Sequence, residues 1–87
     1  MAKATLVLPR LLQESVGTTK LQVEGRTLRE ALEDAYRRLP ALRHHLCEEG
    51  GRFRAHILCF LQHEQKPLSS TLEDGDEISI YQAISGG

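Results

Sequence analysis

Apolar residues in the first quarter of the chain occur in short runs whose spacing is typical of strands. Residues 3–8, KATLVL, are mostly apolar and end before Pro9, and residues 20–23, KLQV, alternate polar with apolar side chains. Both patterns predict strands. The connection between them, residues 10–19, contains Gly17 as a turn residue. We expect the two strands to pair antiparallel, because consecutive strands usually lie side by side.

A helical spacing of apolar residues follows the second strand. Thr27 and Glu30 form a T-x-x-E capping box, in which the threonine hydroxyl accepts from the Glu30 amide and the glutamate reaches back. The apolar positions then repeat as one buried stripe of a helix: Leu28, Ala31, Leu32, Ala35, Tyr36 and Leu39. Pro40 is expected to end this helix.

The second half of the chain predicts two further strands. Residues 41–51 are expected to add a short helical turn before Gly50 and Gly51, and residues 55–61 are strongly apolar and predict a strand. Asp-Gly-Asp at 74–76 is a tight-turn signal. Residues 77–84 then predict the last strand, in which the isoleucines share one side: Ile78, Ile80 and Ile84.

The order strand, strand, helix, strand, strand predicts a two-layer α+β domain. The β-grasp (ubiquitin-like) fold is the compact arrangement of that order, with a mixed sheet of four to five strands and one main helix packed on one face. Its first and last strands lie side by side in the middle of the sheet. We therefore expect a single domain over residues 1–84, followed by a flexible tail over residues 85–87.

Composition and charge narrow the classes of function. The chain has 87 residues, a formal net charge of -1 and an aromatic content of only 5%, so we expect one domain with an aliphatic core. Because no basic excess is available to neutralise phosphates, nucleic-acid binding is not expected. No apolar run approaches the length of a membrane span or a secretory signal, which predicts a cytoplasmic protein. In that setting the two cysteines are expected to be free thiols.

The sequence finishes on Gly86 and Gly87, which suggests chemistry at a carboxylate. Adenylation would convert the Gly87 carboxylate into a mixed anhydride, and a sulfur nucleophile could then displace AMP and leave a thiocarboxylate. The terminus would have to enter a narrow site beside a nucleotide. Glycine at both positions removes the Cβ atoms that would obstruct that path, at an entropic cost.

These features resemble the ubiquitin-like sulfur carriers of the ThiS/MoaD family. The matching stretches are LVLPRLLQESVG, GRTLREALEDAYRRLPALRHHL, GGRFRAHILCFLQ and LEDGDEISIYQAISGG, which cover nearly the whole chain. The pairing of DGDEISI with Gly86-Gly87 is the most specific part. The proline after the first strand and the connection that follows are most similar to the carrier of a cysteine-biosynthesis route.

The resemblance implies a carrier, not an enzyme, with no bound cofactor and no catalytic residue of its own. An adenylating enzyme of the ubiquitin-activating type would use ATP to activate Gly87, a persulfide or sulfide source would supply sulfur, and a downstream synthase would receive it. Two alternatives stay open. The chain could be a protein modifier joined to lysines through Gly87, or a non-covalent small subunit of a synthase such as molybdopterin synthase.

Other residues suggest recognition more than chemistry. Cys47 has no close cysteine partner, and Cys59 and His63 span a predicted strand and its turn, so we expect no metal. The carboxylates of Glu48 and Glu49 argue against Cys47 as a nucleophile. If the odd-numbered residues of the third strand face the helix, Leu58 and Phe60 face outward and could dock a partner. One departure from the family is the turn after this strand, where Gln62 and His63 replace a short turn that contains asparagine.

Overall fold

The structure, a computed structural model that describes residues 1–83, is a four-stranded sheet with helices on one face. Its elements are β1 (Ala2–Val7), a 3-10 helix (Arg10–Leu12), α1 (Gln13–Val16), β2 (Lys20–Gly25), α2 (Leu28–Arg38), α3 (Pro40–Leu46), β3 (Ile57–Leu61) and β4 (Asp76–Gln82). The strand order is β2-β1-β4-β3, with β1 and β4 parallel and the two outer pairs antiparallel. This arrangement confirms the predicted mixed β-grasp sheet, with the first and last strands in its middle.

The hydrophobic core lies between α2, α3 and one face of the sheet. Alternate strand residues point into it, so Leu6 and Ile78 are fully buried and Val23 is 1% exposed. From the helices, Leu28 and Leu42 are fully buried against them. We call the opposite side of the sheet the open face, because no helix described among residues 1–83 packs over it; apart from the buried Ser79, its strand residues range from half-buried to exposed.

The predicted capping box forms at the start of α2, but the Glu30 side chain bonds a different amide from the expected one. The Glu30 amide donates to the Thr27 hydroxyl at 3.2 Å, as expected. The Glu30 carboxylate, however, accepts from the amide of Arg26 at 2.9 Å, one residue before the N-cap. The connection between β3 and β4 supplies another acceptor at the start of α2, because the Leu28 amide donates to the Ser70 carbonyl at 2.9 Å. The first-turn amides thus find acceptors from two directions, which fixes where α2 begins.

Gly25 sits where β2 comes closest to α2. A Cβ built on this residue would lie 2.6 Å from the backbone nitrogen of Ala31 and 2.9 Å from the carbonyl carbon of Glu30. No real Cβ tolerates contacts that short with a backbone, so the strand and the helix can pack this closely only over glycine. Gly25 is the last residue of β2.

Two connections contain more helix than predicted. Residues 10–19 were expected to be a plain connection, but they hold the 3-10 helix and α1, which ends at Gly17 with φ +85°. Pro40 was expected only to end the preceding helix. Instead α2 ends at Arg38, and Pro40 is the first residue of a seven-residue α3. Proline is favoured at the first position of a helix, because the missing N–H has no helical partner there.

The two later strands differ from their predicted bounds at their ends. β3 starts at Ile57 and not at 55, because the Ile57 amide donates to the Arg54 carbonyl at 2.9 Å and closes a turn before the strand. β4 starts at Asp76, one residue early, and ends at Gln82. Ile84, which was expected to share the side of Ile78, and the predicted tail over 85–87 lie outside the described residues.

Candidate functional site

The path of the chain toward Gly87 begins from β4, one of the two central strands of the sheet. β4 pairs with β1 on one side, where Leu6 is opposite Ile78, and with β3 on the other, where Cys59 is opposite Ile80. The pairing continues one residue past the strand, because the Ala83 amide donates to the His56 carbonyl at 2.7 Å. Gly86 and Gly87, the predicted tail-clearance and acyl positions, lie outside the described residues.

The Asp-Gly-Asp turn holds the other end of β4. Gly75 has φ +89° and donates its amide to the Lys3 carbonyl at 2.8 Å, while the Asp74 carboxylate accepts from the Lys3 amide at 2.8 Å. The Asp76 carboxylate accepts from the Glu73 amide at 2.9 Å. Asp76 therefore caps an amide of the turn itself and Asp74 caps an amide of β1, which fixes the register of β4 against β1.

The turn after β3 is a two-residue hairpin with an unusual composition. Leu61 and Glu64 exchange backbone hydrogen bonds of 2.8 and 3.1 Å across it, and the two residues between them, Gln62 and His63, have φ of +50° and +68°. Positive φ at both central positions is the geometry of a type I′ turn, which normally selects glycine or asparagine. Gln62 is held by two bonds to Glu77: its amide donates to the Glu77 carbonyl at 2.9 Å, and its side-chain oxygen accepts from the Glu77 amide at 2.7 Å.

The open face carries the two predicted docking residues. Ile57, Cys59 and Leu61 are buried, and Leu58 and Phe60, between them, are half-buried on the open face. The structure therefore places both predicted docking side chains as the sequence pattern expected.

Tyr81 joins these two residues and was not predicted. Its ring meets the Phe60 ring edge to face, with centroids 5.3 Å apart and an interplanar angle of 82°, and it is 51% exposed. Leu58 is the residue opposite it in the register. The sequence contains the pattern that predicts this orientation, because Tyr81 has the opposite parity to Ile78 and Ile80 and must face away from the core. We call Leu58, Phe60 and Tyr81 the apolar patch.

The cysteines lie inside the fold and not in a reactive site. Cys47 is 6% exposed, and its sulfur lies 3.3 Å from the Tyr36 hydroxyl. Burial raises the pKa of Tyr36, and the hydrogen bond with Cys47 adds to that shift. Burial also raises the pKa of the Cys59 thiol to about 12, so this thiol is neutral and a poor nucleophile near pH 7. Both cysteines are free.

Residues 1–83 were also considered as a metal site and as a membrane span, and they have the features of neither. No group of three or more histidine, cysteine, aspartate or glutamate side chains in this part of the chain is arranged to hold a metal ion. None of its helices has the length and apolar character needed to cross a membrane.

Known structures with the same fold are small ubiquitin-like proteins. Small archaeal modifier protein 1 from Haloferax volcanii superposes with a TM-score of 0.88 at 25% identity, over 99% of this chain and 100% of that one. The protein of the same name from Methanosarcina acetivorans gives 0.86 at 27% identity, over 100% and 98%. A chain of the Amycolatopsis orientalis BexX/CysO complex gives 0.81 at 24% identity, over 97% and 99%. The scan of protein-family models and the search of curated proteins found no match.

The fold and these similarities define a ubiquitin-like β-grasp protein. The expected resemblance to the ThiS/MoaD-type ubiquitin-like proteins is confirmed at the level of the fold. The CysO chain, at 24% identity, shares that fold, and the Haloferax volcanii and Methanosarcina acetivorans neighbours are named modifier proteins.

Proposed function

We propose that the chain is a sulfur carrier whose Gly87 carboxylate is activated with ATP and converted to a thiocarboxylate. The observation that carries the proposal is the anchoring of β4, which is hydrogen-bonded on both sides and leads within four residues of Ala83 to Gly87. The likeness to CysO and to the modifier proteins supports the same reading. In this proposal the body is recognised by other proteins, and Gly87 is the residue that changes covalently.

The only group that this chain contributes to the reaction is the Gly87 carboxylate, and ATP and a sulfur source supply the rest. A Gly87 carboxylate oxygen attacks the α-phosphorus of ATP, and pyrophosphate leaves as the acyl-adenylate forms. Hydrosulfide can then attack the carbonyl carbon, and AMP leaves as the thiocarboxylate forms. If a protein persulfide supplies the sulfur, its terminal sulfur attacks, AMP leaves, and a second thiol reduces the resulting acyl disulfide.

The direct test incubates the purified chain with the adenylating enzyme of the same organism, ATP and a sulfur source. We expect pyrophosphate release and, by intact-mass spectrometry, a mass gain of one oxygen-to-sulfur exchange. Deletion of Gly87 should abolish the exchange, and Gly87→Ala should slow it because a Cβ enters the narrow path. The matched control is Gly51→Ala, at an exposed loop with open space around it. Sulfur charging of the Gly87 deletion would refute the proposal.

Protein modification is the second candidate, because two of the structural neighbours are named modifier proteins and have 25% and 27% identity. The same adenylate would then react with a lysine amine, and AMP would leave as an isopeptide bond forms. Denaturing gels of cell extract should show conjugates of higher mass that carry the Gly87 remnant on lysine. Thiocarboxylate without conjugates would favour the carrier, and conjugates without thiocarboxylate would favour the modifier.

The apolar patch is proposed as the surface on which the activating enzyme docks. Half-exposed aromatic side chains next to the strand that leads to Gly87 are the kind of anchor that dominates protein interfaces. Tyr81→Ala should raise the KM for activation about tenfold with little change in stability. Thr5→Ala, half-buried on the polar part of the same face, is the matched control. Equal KM values for both variants would contradict docking at this patch.

A further inference from the structure

The reach of the chain decides which end of the sheet an activating enzyme must approach. Four residues separate Ala83 from Gly87, and a fully extended chain spans at most about 3.5 Å per residue, so the carboxylate lies within about 14 Å of Ala83. We call the end of the sheet at which β4 finishes the exit end. It also holds the last residue of β1, Val7, and the first residues of β2 and β3.

Two basic side chains, Lys20 and Arg10, lie at the exit end of the sheet. Lys20 is exposed, pairs with Val7 and points to the open face, since Val23 and the other residues of opposite parity in β2 face the core. Arg10 is exposed just after β1. His56 is exposed beside Ala83, in line with Leu58 of the apolar patch.

The carboxylates closest to the open face do not lie at its exit end. Glu24 pairs with Lys3, and Glu77 pairs with Thr5, both toward the opposite end of the sheet. Glu14 belongs to α1, which contacts α3 on the helix side of the sheet. Within residues 1–83, the open face therefore changes from mixed charge at one end to positive charge at the exit end, although the whole chain has a net charge of -1.

We infer that the enzyme that activates Gly87 docks with carboxylates facing Arg10 and Lys20, beside an apolar surface that covers the apolar patch. The inference rests on the proposed function, because the limited reach of residues 84–87 forces the enzyme against the exit end. Opposite charges at the rim of an interface mainly raise the association rate and reject wrong partners. Such a rim would orient the carrier so that its terminus points into the enzyme.

The test measures steady-state adenylation of Arg10→Glu, Lys20→Glu and the double variant by the native activating enzyme. Each single reversal should raise KM about three- to tenfold at about 0.1 M salt, with kcat unchanged, and the double variant should raise it further. The difference should shrink at about 0.5 M salt, because screening shortens the range of the interaction. Lys3→Glu is the matched control, since Lys3 is exposed on the same face at the opposite end.

Each result supports or overturns the inference. Loss of efficiency at the exit end, with Lys3→Glu close to wild type, supports it. If wild type is adenylated but the exit-end reversals behave like wild type, or Lys3→Glu is equally impaired, the inference fails and the proposed function stands. If wild type is not adenylated, both fail. Salt-dependent dimerisation of wild type that Arg10→Glu abolishes would identify a second copy of this chain as the occupant and also overturn the inference.

Discussion

At the scale of single residues, Asp34 joins α2 to the edge strand β2. It is 8% exposed, and its carboxylate accepts from Arg38 Nε at 2.8 Å, Arg37 at 3.2 Å and the Glu24 amide at 2.9 Å. The Glu24 bond matters because it caps an amide on the outer edge of the sheet, where another chain could otherwise pair. The Asp34 side chain therefore orders the last turns of α2 and hinders another strand from pairing with the edge of β2.

The pKa of Asp34 determines how this contribution changes with pH. Burial alone would raise it, but the Arg38 and Glu24 hydrogen bonds and the two arginine charges outweigh burial and hold the pKa below its ordinary value. Because the folded pKa is the lower one, the unfolded chain binds the proton more readily. The stabilisation is therefore present above the ordinary aspartate pKa of about 3.9 and is lost as the pH falls through the folded value.

We predict that Asp34→Asn lowers the free energy of unfolding by about 1–2 kcal/mol at neutral pH, because hydrogen bonds to a charged group are replaced by weaker ones. Urea unfolding at about pH 7 and about pH 3 should show the difference from wild type shrinking in acid. Glu33→Gln, at the exposed neighbouring position, should be nearly neutral at both pH values. A gap between Asp34→Asn and wild type that stays constant across this range would contradict the assigned pKa.

At the scale of elements, the contact between β2 and α2 depends on Gly25. We predict that Gly25→Ala lowers the free energy of unfolding by about 2 kcal/mol or more, because its Cβ would press on the α2 backbone, which cannot rotate away. Gly50→Ala is the control that separates crowding from backbone strain. It has φ +96° but open space around it, so its cost should be only about 1 kcal/mol. Equal losses in chemical denaturation would argue against the close contact.

The hairpin after β3 carries strain that a substitution should relieve. His63 has φ +68°, its side chain is 76% exposed, and its one ionic neighbour, Glu77, lies 4.0 Å away. We predict that His63→Gly raises the free energy of unfolding by about 0.5 kcal/mol, since the cost of a left-handed side-chain residue exceeds the added entropy of the unfolded chain. Gln65→Gly, at a position without positive φ, should be neutral or destabilising. A loss of stability in His63→Gly would refute this.

The periodicity of the sequence correctly predicted those elements whose position depends on a single local pattern. The capping box and apolar stripe located α2 to within a residue, and parity along β3 placed Leu58 and Phe60 correctly. For α3 it predicted only a short helical turn within residues 41–51 and missed the start of the helix at Pro40, because a proline that ends one helix can also begin the next. It also did not predict α1, whose four residues include no buried residue and so leave no stripe to detect.

At the scale of the whole molecule, the sites depend on contacts between distant segments. Phe60 and Tyr81 meet only because β3 pairs with β4 in one particular register, and the Gln62 turn is held from Glu77 on another strand. No local pattern specifies either contact. The positive exit end is a similar case, since Arg10 and Lys20 come from two segments of a chain with almost no net charge. Such features follow from the topology, and the topology itself was predictable from the order of the elements.

The proposed function, with recognition by the folded body and chemistry at Gly87, predicts that stability and sulfur charging can be altered separately. Leu6 is fully buried where β1 pairs with β4, so Leu6→Ala should lower the free energy of unfolding by about 3 kcal/mol. Below its melting temperature, this variant should still be charged with sulfur at a rate close to wild type. Deletion of residues 86 and 87 should instead abolish sulfur charging and leave the stability unchanged. The reason is that β4 is already paired on both sides and the last described hydrogen bond is made by Ala83.

Thermal unfolding and intact-mass spectrometry on the same samples test this separation. The deletion should keep the melting temperature of wild type within about 1 °C, because the core and the pairing of β4 are made by residues up to Ala83, and it should lose all sulfur charging. A large fall in melting temperature on deletion would mean that the terminus is part of the packed fold, and a carrier with its acyl end buried could not present it to an enzyme. Charging that disappears in Leu6→Ala while the protein is still folded would instead place the reactive machinery inside the body of the domain.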